Sequence, residues 1–151
     1  MSIWWSLHLR REAASVPLAR RLLLGAMDTV GVDPDISFDL SVALSEACAN
    51  AVEHGGGEVS GEPPGAYQVT AYLDGERCRI EVADSGPGFP ARRVVQRTAP
   101  APALTAENGR GLGLIEQLAD HVQFGNRPGH GAVISFDKIL KWREGALLRA
   151  M

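Results

Sequence analysis

The chain has 151 residues and a mass of 16.1 kDa, enough for one domain with a real core and too little for two ordinary ones. Hydrophobic residues make up 45% and charged residues 22%, which excludes a disordered chain. Fifteen basic against eighteen acidic residues leave a net charge of -3, without the electrostatic footprint of a general nucleic-acid binder. Cys48 and Cys78 lie far apart with no C-x-x-C, so reduced, buried thiols are expected rather than a disulfide framework or a zinc site. His8, His54, His121 and His130 show no metal-ligand spacing. The start has no basic n-region, and no apolar run approaches the roughly 20 residues that cross a bilayer. The expected location is the cytoplasm, with no membrane contact.

In chain order, residues 3–10 (IWWSLHLR) are apolar and β-prone, and predict an edge or cover strand. Apolar residues at helical spacing predict a helix from about Val16 to Val30, with Pro17 in its first turn and Gly31 at C′. Asp33-Pro34 reads as an N-cap and first helical position, opening a second helix that runs to about His54. Residues 55–66 form a Gly/Pro/Glu-rich loop. YQVTAYL and CRIEVAD alternate polar and apolar residues on either side of Asp74-Gly75-Glu76, a hairpin signal. Residues 89–108, rich in proline and alanine, read as a long functional loop. GRGLGLIEQLADHV reads as a glycine-rich turn that opens a helix. GAVISFDKIL reads as a last strand after a turn at Arg127-Pro128-Gly129, and KWREGALLRAM as a short amphipathic helix. The order is β-α-α-β-β-loop-α-β, which favours a two-layer α/β sandwich with a mostly antiparallel sheet and helices on one face.

Three segments carry chemistry. In ALSEACANAVEHG, Glu46 and Asn50 are four apart and share a helix face among small residues. A carboxylate and a carboxamide there are costly if buried without partners. In VADSGPGF, Asp84 ends a strand and is followed by Gly86 and Gly88, which permit close backbone approach to a ligand. A carboxylate at a strand end can accept from an exocyclic amine. In GRGLGL, residues 109–114 place glycines at a helix start, where free N–H groups and the helix dipole attract anions. A Rossmann fingerprint fails because PAPALTAEN, not a strand, precedes it, and the P-loop pattern is absent.

Together and in this order, the segments resemble the ATP-binding fold shared by gyrase B, Hsp90, bacterial histidine kinases and MutL. Glu46 and Asn50 match its N box. Residues Asp84 to Gly88 match its first glycine box, and Gly109, Arg110, Gly111, Leu112 and Gly113 its second. Gly131 matches a final glycine element, and the resemblance runs from about residue 8 to 138. The length leaves no room for the dimerisation helices of a histidine kinase. The chain therefore resembles most the free-standing anti-sigma factor serine kinases of the RsbW/SpoIIAB type. The resemblance implies a single ATP-binding domain over 1–151, with an ATP lid at about 89–110 and a tail at about 139–151. It implies ATP and Mg²⁺ as cofactors, a sigma factor and a STAS-type anti-anti-sigma protein as partners, and a homodimer. It implies Glu46 as general base, Asn50 as Mg²⁺ ligand and Asp84 as acceptor from the adenine amine. Gly86 and Gly88 would shape the adenine pocket, and the second glycine box would hold the phosphates. His54 would cap or pack the helix end. The alternatives are a nucleotide-dependent regulator that sequesters a partner without phosphotransfer, and an ATPase that uses water as nucleophile.

Overall fold

In the computed structural model, the described residues are 2–54, 65–86, 95–98, 112–127 and 131–146. Strand β1 is Ile3–Arg10 and helix α1 is Ser15–Val30. Gly31 ends α1 in the left-handed region (φ 89°), returning its N–H to the Met27 and Asp28 carbonyls. Only a glycine takes that conformation without strain. Helix α2, Pro34–His54, follows at once, with the Asp33 carboxylate accepting from the Asp35 amide at 2.8 Å. Strands β2 (Ala66–Leu73) and β3 (Arg77–Ala83) form the hairpin, and Asp74 Oδ1 caps its turn by accepting from Glu76 and Arg77 amides.

Three elements differ from the sequence expectation. Strand β4, Val95–Thr98, lies within the segment read as a loop and pairs with β5. Helix α3, Leu112–Leu118, stops earlier than the glycine-rich helix predicted from GRGLGLIEQLADHV. His121–Asn126 is instead a strand, β5, with Val122 and Phe124 buried in alternation. The Asp120 amide turns to the Asp137 carbonyl and its carboxylate to the Ile139 amide, which commits the chain to the sheet there. Strand β6 is Ala132–Ile139. The tail is the third difference: 141–146 is a strap with a turn at 144–145 rather than a helix, and 147–151 lie outside the described residues. Trp142 bridges to Val32 and donates its indole N–H to the Gly75 carbonyl, while Arg143 donates to the Asp28 carbonyl at the end of α1. These backbone and cap contacts satisfy the strap better than an isolated helical turn, whose nucleation is costly.

Among the described residues the sheet has six strands, in the order β1-β2-β3-β6-β5-β4, and every pairing between them is antiparallel. The helices lie on one face, α1 against β1, α2 against β3 and β6, and α3 against β5. The core between them is continuous, from Leu23 and Met27 through Leu40 and Leu44 to Ile80, Ile115, Ile134 and Phe136. The opposite face carries the row Trp4, Tyr72, Arg79, Asp137 and His121 across five strands, with Trp4 and Tyr72 exposed. This is the two-layer α/β sandwich that the sequence predicts. Cys48 and Cys78 are free and buried. Among the described residues no helix is long and apolar enough to cross a membrane.

Candidate functional site

Strands β3 and β6 are neighbours at the centre of the sheet, and their ends build the best-defined part of the site. Asp84 follows the last residue of β3 and is buried. Its Oδ1 accepts from the Gly86 amide at 2.9 Å and from the Ala132 amide at 3.0 Å. Its backbone is locked as well, with its N–H on the Ala132 carbonyl and its C=O taking the Gly131 amide. Both of these side-chain bonds fall on Oδ1. A carboxylate held by two amides keeps a fixed direction, as a readout group must.

Gly131 explains why the two segments approach so closely. A Cβ at that position would sit 2.2 Å from Asp84 Oδ1, 2.5 Å from the Gly86 nitrogen and 2.6 Å from its oxygen. No side chain fits there, so the glycine is required by contact with the Asp84 turn rather than by backbone angle.

Glu46 and Asn50 come from α2, whose stripe Ile36, Leu40, Ala43, Leu44, Ala47 and Ala51 is buried over the sheet. Asn50 is buried and Glu46 half-buried, one helical turn apart on a common flank. Helix α3 packs against α2 and begins with Leu112 and Gly113, both buried. The predicted Gly88, Gly109, Arg110 and Gly111 lie outside the described residues, as does most of the predicted lid. His54 ends α2 with its Nε2 3.7 Å from the Glu53 carboxylate, an exposed pair of little energetic weight.

Two features escaped the sequence reading. Ala132 contributes only its backbone, so no residue type announces it. Glu116 is fully buried on α3. Its signal was present, since 116 falls on the same helical stripe as Leu112, Ile115 and Ala119.

The model of the histidine kinase-like ATPase domain matches residues 9–138 of the chain. Serine-protein kinase RsbW of Bacillus velezensis is 33% identical over 123 residues, covering 78% of this chain and 75% of that protein. RsbW of Oceanobacillus iheyensis is 31% identical over 134 residues, covering 85% and 82%, and RsbW of Bacillus subtilis is 34% identical over 119 residues, covering 76% and 72%. The crystal structure of the RsbU and RsbW domains of a Mycobacterium tuberculosis protein superposes with a TM-score of 0.61 at 21% identity. That match covers 91% of this chain and 33% of the longer one, and it supports the fold. The fold and these similarities agree: the chain belongs to the histidine kinase-like ATPase domain family, among the serine-protein kinases of the RsbW group.

Proposed function

We propose that the protein binds ATP with Mg²⁺, sequesters a sigma factor, and phosphorylates a serine or threonine of a STAS-type anti-anti-sigma protein. In this reading it regulates transcription from the cytoplasm and works as a homodimer. The exposed face of α1, with Arg20 and Arg21 beside Leu22, is the surface assigned to the partners.

The observation that carries the reading is the Asp84 clamp. Oδ1 is committed to the Gly86 and Ala132 amides, and in this reading Oδ2 accepts the exocyclic amine of adenine. Gly86 and Gly88 leave room for the ring. In this reading Gly109, Arg110, Gly111, Leu112 and Gly113 would offer backbone N–H groups and one guanidinium to the phosphates. Asn50 offers a hard oxygen, the donor type Mg²⁺ prefers. In this reading Asn50 would hold the ion together with the phosphates. When bound, Mg²⁺ neutralises charge on the phosphate oxygens. Glu46 takes the proton of the attacking hydroxyl. The hydroxyl oxygen bonds to the γ-phosphorus, the bond to the β-γ bridging oxygen breaks, and ADP leaves.

Calorimetry with ATP and GTP, followed by transfer of radiolabelled phosphate to captured partners, tests this. ATP binds and GTP binds at least tenfold more weakly, because a site built to accept from an amine rejects a carbonyl in its place by a tenfold factor or more. Asp84→Ala loses nucleotide binding. Glu46→Gln keeps affinity for Mg-ATP but transfers phosphate roughly 10²–10⁴-fold more slowly, the usual contribution of a positioned base. GTP binding as tightly as ATP overturns the adenine site. Label released only to water makes the protein an ATPase, and nucleotide binding without turnover makes it a binding regulator.

A further inference from the structure

The face of the sheet that carries no helices holds a groove along β3 and β6. Three adjoining depressions of about 560, 190 and 270 Å³ make it up. Arg77 lines the first two and Arg79 the last two, so the three are continuous. Trp142, with its indole N–H on the Gly75 carbonyl, stands at one end and Arg127 at the other. Residues 76 to 81 of the floor span about 17 Å at roughly 3.3 Å per residue, room for an extended segment of about six residues.

Most of the acidic charge of the groove is already engaged. Glu81 is paired with Arg127, and Asp137 Oδ1 is hydrogen-bonded to His121 Nδ1 at 2.8 Å. The neighbouring Asp74 carboxylate is taken up by the amides of its own turn. Arg77 and Arg79 are exposed, and among the described residues their guanidinium groups enter no hydrogen bond or ion pair. Lys141 adds a further exposed cation beyond Arg77, against the one lining carboxylate left over, Glu76. A chain with a net charge of -3 thus gathers unpaired positive charge in this groove.

An apolar rim flanks the two arginines. Tyr72 stands opposite Arg79, Trp4 opposite Tyr72, and Ile139 opposite Arg77. Trp4 is 65% exposed and Ile139 58%. Exposed apolar side chains gathered beside charged ones mark a contact surface, and covering them shields adjacent ion pairs from water, which strengthens those pairs.

We propose that this groove docks an extended acidic segment of a partner protein, with alternate carboxylates on Arg77 and Arg79. The two arginines are two positions apart on one face of a strand, so they repeat at roughly 6.6 Å, and alternate side chains of an extended segment repeat at the same spacing. The planar guanidinium fork fits a carboxylate with two parallel hydrogen bonds. A second copy of this chain fits the charges less well. A two-fold contact sets a patch against itself, so unpaired arginines would face unpaired arginines. The groove lies across the sheet from all three helices, apart from the nucleotide site and from the α1 surface, and its docking role does not depend on the kinase reading.

Titration of the isotope-labelled full chain with a short peptide of alternating glutamate and valine tests it, read by NMR and by fluorescence anisotropy. The expected shifts gather at the amides of Arg77, Arg79 and Asp137 and at the Trp142 indole N–H. Affinity falls as salt is raised, and peptides with glutamine or lysine in place of glutamate do not bind. Arg77→Gln and Arg79→Gln each weaken binding roughly 2–5-fold, the scale of an exposed ion pair, and together they weaken it further. Arg77→Glu combined with Arg79→Glu turns the preference to the lysine peptide. Shifts that fall outside the groove overturn the proposal on the wild-type chain alone, whether or not a variant folds. Equal binding of the glutamine peptide, or unchanged affinity in both glutamine variants, overturns it as well. A dimer in sedimentation that the double glutamate variant dissociates gives this face to a second copy and overturns it too.

Discussion

At the scale of single residues, two glycines separate the site from the scaffold. Gly131 is walled in by Asp84 and Gly86, and Gly25 on α1 has open space where a Cβ would go. Gly131→Ala forces the Asp84 turn away from β6, since the nearest atoms are backbone and a clamped carboxylate rather than a flexible tip. Overpacking of this kind costs about 1–3 kcal/mol, and it falls on the group that reads the base. Calorimetry is expected to show ATP affinity reduced at least about tenfold, the equivalent of 1.4 kcal/mol. A variant with full affinity would show that the β3–β6 contact is not part of the binding site. Gly25→Ala does the opposite. It removes a helix-interior glycine from an exposed position and raises stability by about 0.5–1 kcal/mol. Chemical denaturation measures this, with nucleotide affinity expected to stay at the wild-type value.

At the scale of elements, legibility followed the strength of local signals. Helices α1 and α2 were readable because Gly31, Asp33 and Pro34 each do one local job, and the structure records those jobs as a C-cap and an N-cap. The β2–β3 hairpin was readable because Asp74 caps its own turn. Strand β5 was not, because HVQFGN is short and follows a helical pattern without a proline or glycine between them. Its strand character comes from β6, through the pairing of Val122 with Phe136 and Phe124 with Ile134, which no local pattern contains. The site divides in the same way. Glu46, Asn50 and Asp84 stood out as polar residues in telling places, whereas the Ala132 amide and the Ser15–Tyr67 hydrogen bond exist only once distant segments meet. Lys138 is another product of assembly. Its ammonium donates to the Leu118 carbonyl at 2.7 Å and lies 3.8 Å from the Asp39 carboxylate, tying the end of α3 to α2 and β6. Lys138→Met keeps the aliphatic stem and removes the charge that caps α3. The expected loss is about 0.5–2 kcal/mol, the range for a cation at a helix C-terminus, read as a lowered denaturation midpoint. An unchanged midpoint would mean that the strands alone hold α3.

At the scale of the whole molecule, three buried protons set the alkaline limit of stability. Cys48 and Cys78 are raised from 9.0 to about 12, chiefly by burial, and Tyr67 from 10.0 to about 12 for the same first cause. In each case the folded state holds its proton more tightly than the unfolded chain. The contribution is complete below about pH 9 and fades as pH rises from there through 12. The melting temperature is therefore expected to fall steadily above pH 9, and Cys78→Ala, which leaves one group fewer to deprotonate, to fall less steeply after allowance for its cavity. Equal slopes would place the alkaline transition elsewhere. The strand order carries one more consequence, for the birth of the protein. Of the described strands β6 is the last to be synthesised, yet its place is between β3 and β5, in the middle of the sheet. Until it arrives, β3 and β5 present unpaired edges, which invite aggregation. Asp84 meanwhile waits for an amide 48 residues downstream. Nucleotide thus gives no help to the growing chain. It acts only once β6 has been made, as a ligand that rewards the insertion of that strand and then holds it in place.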